Sequence, residues 1–362
     1  MNAFLQDHAS SLRAFVDLSC SIGSRPDYVQ GGGGNTSVKL DGLLMAVKAS
    51  GFRLSDIRED RAYAVLDYSA LRRFYQEMDS SSFPDIEKEG SARIKASACS
   101  VDGIETLRPS VEAGFHSLLD TYVAHSHAIY ANLATCSAEC DEIVSAALKN
   151  ADYAFGIVPY VDPGARLTFA IRDEMRRVRA ECGRVPSVFF LKNHGVVAHD
   201  MDPVACLRIH EDANRRIALA FGVEFGTFPH FSLREVQDGL LEADCPYLSQ
   251  RIACGDYDEG FFLEQSLYPD QIVFLAGNFS FGGGIPEEGH CIANPTTGRI
   301  SFRMSESRAR VILETLVSVV FVAEGICRSG ATLVPMGAAA KNFIAGWESE
   351  KYRRSVSEQR SK

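Results

Sequence analysis

Four consecutive glycines, Gly31 to Gly34, fix the first architectural decision of this chain. Backbone without side chains sustains neither a helix nor a strand interior, so a loop must lie here. Upstream, Leu12, Phe15, Val16 and Leu18 recur at helical intervals over residues 9–20, and the run breaks at Gly23, Ser24, Arg25 and Pro26. Downstream, Asn35, Thr36 and Ser37 lead into the alternating Val38-Lys39-Leu40, an Asp41-Gly42 turn and the apolar run Leu43 to Val47. The spacing predicts a helix and then a hairpin entered through a glycine loop.

Further along, residues 79–108 are polar, with Ser80, Ser81, Ser82, Phe83 and Pro84, and read as an inserted surface excursion. Glu112 to Tyr122 is helical in pattern, Val123 to His127 strand-like and Glu139 to Lys149 helical. Val188 to Leu191 signals a buried strand, broken by Asn193-His194-Gly195 and resumed by Val196 to His199. A helix follows from Pro203 to Phe221, with Asp200 or Asp202 as its cap. Strands and helices alternate without the regular spacing of a doubly wound sheet, which predicts a mixed α/β fold for the first two thirds. After Gly222 the texture changes: Ser232 to Ala253 reads as helix, Gln271 to Leu275 as strand, Gly282 to Gly284 as a loop and Ser305 to Cys327 as a long apolar helix. A length of 362 residues accommodates two domains, placed at 1–227 and 228–362, the second an α+β extension.

Composition excludes several classes. Hydrophobic residues at 46% and charged residues at 23% belong to a globular chain. Lys and Arg number 37 against 47 Asp and Glu, a net charge of −10 that repels nucleic-acid backbones. The apolar stretch Leu316 to Ala323 contains Ser318 and sits between Glu314 and Glu324, far short of the ~18 residues of a membrane span. The N-terminus, Met1-Asn2-Ala3-Phe4-Leu5-Gln6-Asp7, has neither the basic cluster nor the apolar core of a secretory signal, so the cytoplasm is expected. Ten cysteines are scattered without a CxxC pair, several in apolar surroundings like those of Cys206 and Cys327, and read as reduced core residues.

The chemistry gathers around His125-Ser126-His127. Residues two apart on a strand share a face and can grip one ion together. His194 follows a buried strand, and Glu112 lies thirteen residues upstream of His125 on the preceding helix. Three neutral imidazoles and a carboxylate suit Zn²⁺ and leave room for substrate oxygens. A second cluster joins Gly31 to Gly34 and Asn35 with Lys48, Ser50 and Gly51, in which backbone amides, a lysine and hydroxyl donors form a phosphate cradle. It matches neither the phosphate-loop nor the dinucleotide consensus, and reads equally as a tight hairpin entry with a solvated lysine.

Gly34-Asn35-Thr36-Ser37, Val47-Lys48-Ala49-Ser50-Gly51, Arg108-Pro109-Ser110-Val111-Glu112, His125-Ser126-His127 and Asn193-His194-Gly195 come in the order and approximate spacing of one family. Over residues 8–225 the chain resembles the class II aldolase/adducin family. Leu267-Tyr268-Pro269-Asp270 and Gly346-Trp347-Glu348-Ser349-Glu350-Lys351-Tyr352-Arg353 are similar to its longer subgroup, the aldolase portion of rhamnulose-phosphate aldolase/dehydrogenases, without the dehydrogenase half. The resemblance implies a mixed sheet layered with helices and a cyclic homotetramer. It implies His125, His127 and His194 as zinc ligands, Glu112 as general acid/base, and Asn35, Lys48, Ser50, Gly51 and Ser110 as substrate-phosphate ligands. Val111 stands where many members carry a second hydroxyl, and Arg108 is placed to compensate or to serve as a surface loop residue.

The implied activity is zinc-dependent cleavage of a ketose 1-phosphate, a sugar phosphate, to dihydroxyacetone phosphate and a short aldehyde, a lyase reaction. Pentulose-phosphate 4-epimerases and sugar-phosphate dehydratases use the same zinc site and stand as alternatives, and an adducin-like binding module is the non-enzymatic one. Tyr130, Tyr153 and Tyr160 are proximity candidates for a catalytic tyrosine, and His116, four residues after Glu112, is read as a supporting histidine. His8, His199, His210, His230 and His290 carry no pattern. The apolar residues Val311, Ile312, Leu316, Val319, Val320 and Phe321 of the 305–327 helix are expected either at a subunit boundary or against the chain's own second domain.

Overall fold

The computed structural model describes residues 3–346. Helices α1 (Ala3–Asp7) and α2 (Ala9–Gly23) precede the glycine loop, and β1 (Asn35–Lys39) and β2 (Leu44–Lys48) form the expected hairpin. Its turn is tied by Asp41, whose Oδ1 accepts from the amides of Leu43 and Leu44. Then come β3 (Tyr63–Asp67), α3 (Tyr68–Glu77), α4 (Ile86–Ala96), β4 (Ala98–Cys99), α5 (Ala113–Leu118) and β5 (Tyr122–Ser126). Helices α6 (Ile129–Thr135) and α7 (Cys140–Leu148) lead to β6 (Ala154–Val158), α8 (Ala165–Cys182), β7 (Pro186–Leu191), β8 (Gly195–Asp200) and α9 (Pro203–Ala220). Asp202, rather than Asp200, caps α9: its carboxylate accepts from the Ala205 amide.

These strands make one eight-stranded mixed sheet in the order β4-β3-β2-β1-β5-β8-β7-β6. Every pairing is antiparallel except β6 with β7, the two strands joined through α8. Alternation along each strand feeds two separate apolar layers. Val38, Ala46, Val65, Ala124, Val188, Val196 and Ala198 meet α2, α6 and α9 on one face. Met45, Val47, Leu66, Val123, Phe189 and Val197 meet α3, α5 and α8 on the other. This is the expected mixed sheet layered with helices.

The remainder builds a second, five-stranded sheet in the order β11-β12-β13-β10-β9, from β9 (Ser232–Gln237), β10 (Leu240–Asp244), β11 (Phe279–Phe281), β12 (His290–Ala293) and β13 (Ile300–Arg303). Helices α10 (Pro246–Ala253), α11 (Glu259–Glu264), α12 (Pro269–Leu275), α13 (Glu306–Ser329) and α14 (Ala338–Gly346) complete an α+β region. Its core is not separate from the first: one apolar cluster runs from Leu12 through Ala198 to Leu316 and Ile326. The apolar face of α13 therefore packs inside the chain, with Ile312, Leu316, Val319 and Val320 fully covered by the neighbouring helices.

Several expectations are corrected. Residues 232–253 are a hairpin followed by a short helix, because Asp238-Gly239, with Gly239 at φ +68°, supplies the two-residue turn between β9 and β10. Residues 271–275 are helical rather than extended, since Pro269 occupies the first turn of α12, where its fixed φ and missing N–H cost nothing. The 79–108 segment is more than a surface excursion. It carries α4, capped by Asp85, and the Glu87 carboxylate accepts from the amides of Ala165 and Arg166 at the start of α8. Glu112 itself opens a helix that ends at Leu118, earlier than the pattern suggested. Among the ten cysteines, Cys136, Cys140, Cys206, Cys245 and Cys291 are buried and Cys327 is exposed. The motif from Trp347 to Arg353 lies outside the described residues. Among the described residues no helix is long and apolar enough to cross a membrane.

Candidate metal centre and active site

β5 lies between β1 and β8, the most shielded place a strand can have in this sheet. Its pleat sends Val123 and His125 to the face covered by α5, and Ser126 to the other, where its Oγ meets His210 Nε2 at 2.7 Å. His194 arrives on the turn between β7 and β8. Asn193 takes a left-handed conformation there (φ 51°), which an asparagine tolerates better than most residues. Gly195 is obligatory for space: a Cβ would lie 2.2 Å from the Ser126 carbonyl oxygen and 3.1 Å from the His127 Cα. Gly195→Ala is thus expected to destabilise the protein by about 1–3 kcal/mol, because the clash is with the backbone of Ser126 and His127 and not with a flexible side chain. A urea midpoint unchanged from wild type would contradict this packing.

The ligand atoms of His125, His127 and His194 all lie within 4.8 Å of one another, and all three rings are buried. His125 Nδ1 donates to the Val196 carbonyl at 3.0 Å, so Nε2 is the nitrogen turned to the cluster. His127 Nδ1 faces Asp270 Oδ2 at 2.6 Å. Glu112, at the N-terminus of α5, places Oε2 3.7 Å from His125 Nε2 and Oε1 3.5 Å from His194 Nε2. Burial alone would raise the Glu112 pKa, but the three imidazoles and the Asn35 amide outweigh it and hold the carboxyl down at about 2. Burial lowers His194 to about 3, against the pull of Glu112. The site at neutral pH thus holds an ionised carboxylate beside a neutral imidazole, the protonation states a cation requires of its ligands.

Glu112 is held by a directed chain of hydrogen bonds. Ser37 Oγ meets His116 Nδ1 at 2.7 Å, His116 Nε2 donates to Asn35 Oδ1, and Asn35 Nδ2 donates to Glu112 Oε2 at 2.6 Å. His116 is buried, and burial pushes its pKa well below the usual value, so it stays neutral. Ser110 Oγ lies 3.3 Å from both Asn35 Nδ2 and the Glu112 amide. The structure therefore brings Asn35 and Ser110 to the carboxylate.

Lys48 is placed one step away, its Nζ donating to the carbonyls of Gly32 at 3.0 Å and Phe52 at 2.7 Å. It is buried, not solvated, and ties the glycine loop to the turn containing Ser50 and Gly51. Gly51 is left-handed at φ +86°, and the Ser50 amide donates to the Arg108 carbonyl at 2.9 Å, which fastens this turn to the strand of residues leading to Ser110.

The tyrosine candidates are spent on packing. Tyr130 donates to Asp27 at 3.0 Å and Tyr153 to Asp212 at 2.9 Å, and burial raises both pKa values. Tyr160 packs with Ile272, Val273 and Ile344. Both nitrogens of His199 are engaged, by Asp120 at 2.9 Å and the Pro186 carbonyl at 2.8 Å. Two functional neighbours escaped sequence reasoning: Asp270 at His127, and Glu314 of α13, whose Oε2 accepts from the Gly31 amide at 3.0 Å. The signal for Asp270 was the Pro269 helix start just before it; Glu314 left none.

Residues 15–221 match the class II aldolase and adducin N-terminal domain. The chain belongs to the class II aldolase and adducin family. Solved structures similar to it include the N-terminal class II aldolase domain of a conserved protein from Thermoplasma acidophilum, at 23% identity and TM-score 0.46 over 57% of this chain and 91% of that one. A sugar-phosphate aldolase from Thermotoga maritima is 14% identical, with TM-score 0.42 over 61% and 98% of the two chains. YgbL from Klebsiella pneumoniae, described as a putative aldolase/epimerase/decarboxylase, is 19% identical, with TM-score 0.42 over 61% and 92%. No curated protein matches the chain.

Proposed function

We infer that this chain is a zinc-dependent, cytoplasmic aldehyde-lyase that cleaves a ketose 1-phosphate to dihydroxyacetone phosphate and a short aldehyde. The observation that carries the reading is the buried triad of imidazoles with a carboxylate 3.5–3.7 Å from two of them. The fit to a cation is chemical: His125 Nε2 and Glu112 Oε1 are buried with no hydrogen-bond partner, a costly state that a metal ion relieves. Three nitrogen donors, with no fourth ligand grouped with them among the described residues, suit a catalytic zinc with open positions. Such an ion would be held by His125, His127 and His194 and would supply Lewis-acid charge to oxygens of the substrate.

The chain's own residues do the rest. Cleavage breaks a carbon–carbon bond: the hydroxyl of one fragment gives up its proton as its carbon becomes an aldehyde, and the electron pair stays on the ketose fragment, whose carbon takes up a proton to give dihydroxyacetone phosphate. Glu112 carries the proton to or from the carbon that keeps the pair, and the Asn35–His116–Ser37 chain holds its Oε2 in place while Oε1 faces the imidazoles. Asn35, Lys48, Ser50, Gly51 and Ser110 line the phosphate end of the substrate. Residues 1–227 supply the metal donors, the region from residue 228 onward supplies Asp270 behind His127, and the assembly is the homotetramer that the family resemblance implies.

Purified full-length protein is expected to contain about one zinc per chain and to convert one member of a panel of ketose 1-phosphates into dihydroxyacetone phosphate. Zinc absent from chelator-free preparations overturns the enzyme reading. Zinc present with an epimer or a dehydrated product, and no aldehyde, assigns the site to the epimerase or dehydratase reaction instead.

A further inference from the structure

The region beyond the family-matched residues reaches into the metal centre at one point. We propose that Asp270, on α12, is a positioning residue of that centre, fixing His127 as the Nδ1-protonated tautomer so that Nε2 is the nitrogen offered to the ion. The proposal rests on the metal-centre reading above and extends it to a part of the chain that residues 15–221 do not include.

Asp270 Oδ2 and His127 Nδ1 are 2.6 Å apart, and both side chains are shielded from solvent, so the contact is not a loose surface pair. A carboxylate accepts, which requires the hydrogen of His127 to sit on Nδ1. Carboxylate–histidine–metal arrangements of this kind set ring orientation and raise the basicity of the ligating nitrogen. Room for the contact is made by the glycine loop: a Cβ on Gly33 would lie 2.7 Å from Asp270 Oδ2 and 3.0 Å from His127 Nδ1. The seat of Asp270 is itself fastened. Gln271 Oε1 accepts from the Leu267 amide at 2.9 Å, and its own amide donates to the carbonyls of Phe261 and Phe262. Asn193, next to His194, donates to the Leu267 carbonyl at 2.9 Å. The turn carrying one imidazole and the helix start carrying the carboxylate are thereby locked to each other, and the other end of the glycine loop is held by Glu314.

The test is zinc affinity by chelator competition on the full chain, together with ¹⁵N-histidine NMR of the metal-free protein. Asp270→Ala is expected to weaken zinc binding about 10- to 100-fold and to release His127 into a mixture of tautomers, with Asp270→Leu, similar in size but without an acceptor, showing the same directions. The NMR readout separates positioning from a merely structural role, because a helix-anchoring residue would leave the tautomer unchanged. Zinc affinity within about threefold of wild type in both variants, or an unchanged His127 tautomer, overturns the proposal. Wild-type protein that takes up no zinc overturns the metal-centre reading beneath it, a result distinct from equal and tight binding in wild type and variants. Should Asp270→Ala fail to fold, Asp270→Leu decides.

Discussion

Glu112→Gln lowers turnover by about 10²-fold or more while leaving the fold and most of the metal in place. The amide is nearly isosteric with the carboxylate and keeps an oxygen to accept from Asn35 Nδ2, so the chain of hydrogen bonds back to His116 and Ser37 survives. What it loses is the ability to take up a proton. It also loses the negative charge that now stands 3.5 and 3.7 Å from two imidazoles, which is why metal retention has to be measured beside turnover. Steady-state kinetics with metal analysis on the same sample check the point, and turnover within a few-fold of wild type would reduce Glu112 to a structural residue.

The second large effect is on metal content. His125→Ala or His194→Ala removes one of the three nitrogen donors whose ligand atoms converge within 4.8 Å among the described residues, and zinc occupancy is expected to fall sharply. His199→Ala is the control. It lies on β8, buried and only five residues beyond His194 in the chain, yet both its nitrogens are committed to Asp120 and the Pro186 carbonyl, so its loss costs stability and spares the metal. Equal loss of zinc in all three variants would mean that the ion is held elsewhere.

Much of the centre was legible because the chemistry is local. His125-Ser126-His127 reads as one strand face from the spacing alone; β5 ends at Ser126, so His127 lies just past the strand, yet the two rings do converge; Asn193-His194-Gly195 reads as a strand break, and β7 and β8 turn there. The Asp41-Gly42 turn was read correctly and the equally good Asp238-Gly239 turn was not, since the helical spacing of apolar residues on both sides of it was given more weight than the turn chemistry. Gln271 to Leu275 shows the ordinary ambiguity of a short apolar run, which a preceding proline should have settled. Lys48 was recognisable as belonging to the glycine cluster, but its engagement with the Gly32 and Phe52 carbonyls depends on how two loops approach each other. Nothing in local periodicity could pair Asp270 with His127 or Glu314 with Gly31, because those contacts span 143 and 283 residues and exist only once the two sheets share a core.

That separation has a consequence for biosynthesis. During translation at roughly 5–20 residues per second, the 70 residues between Asp200, at the end of β8, and Asp270 take about 4–14 s to emerge. A nascent chain that has already paired β5 with β1 and β8 therefore waits, with its imidazoles in register but its glycine loop still unclamped and the surface of α6 not yet covered by α13. Loading of the proposed metal in its final geometry would therefore wait for residues 270–314, and the interval before it is when the protein most depends on whatever shields apolar surface in the cell.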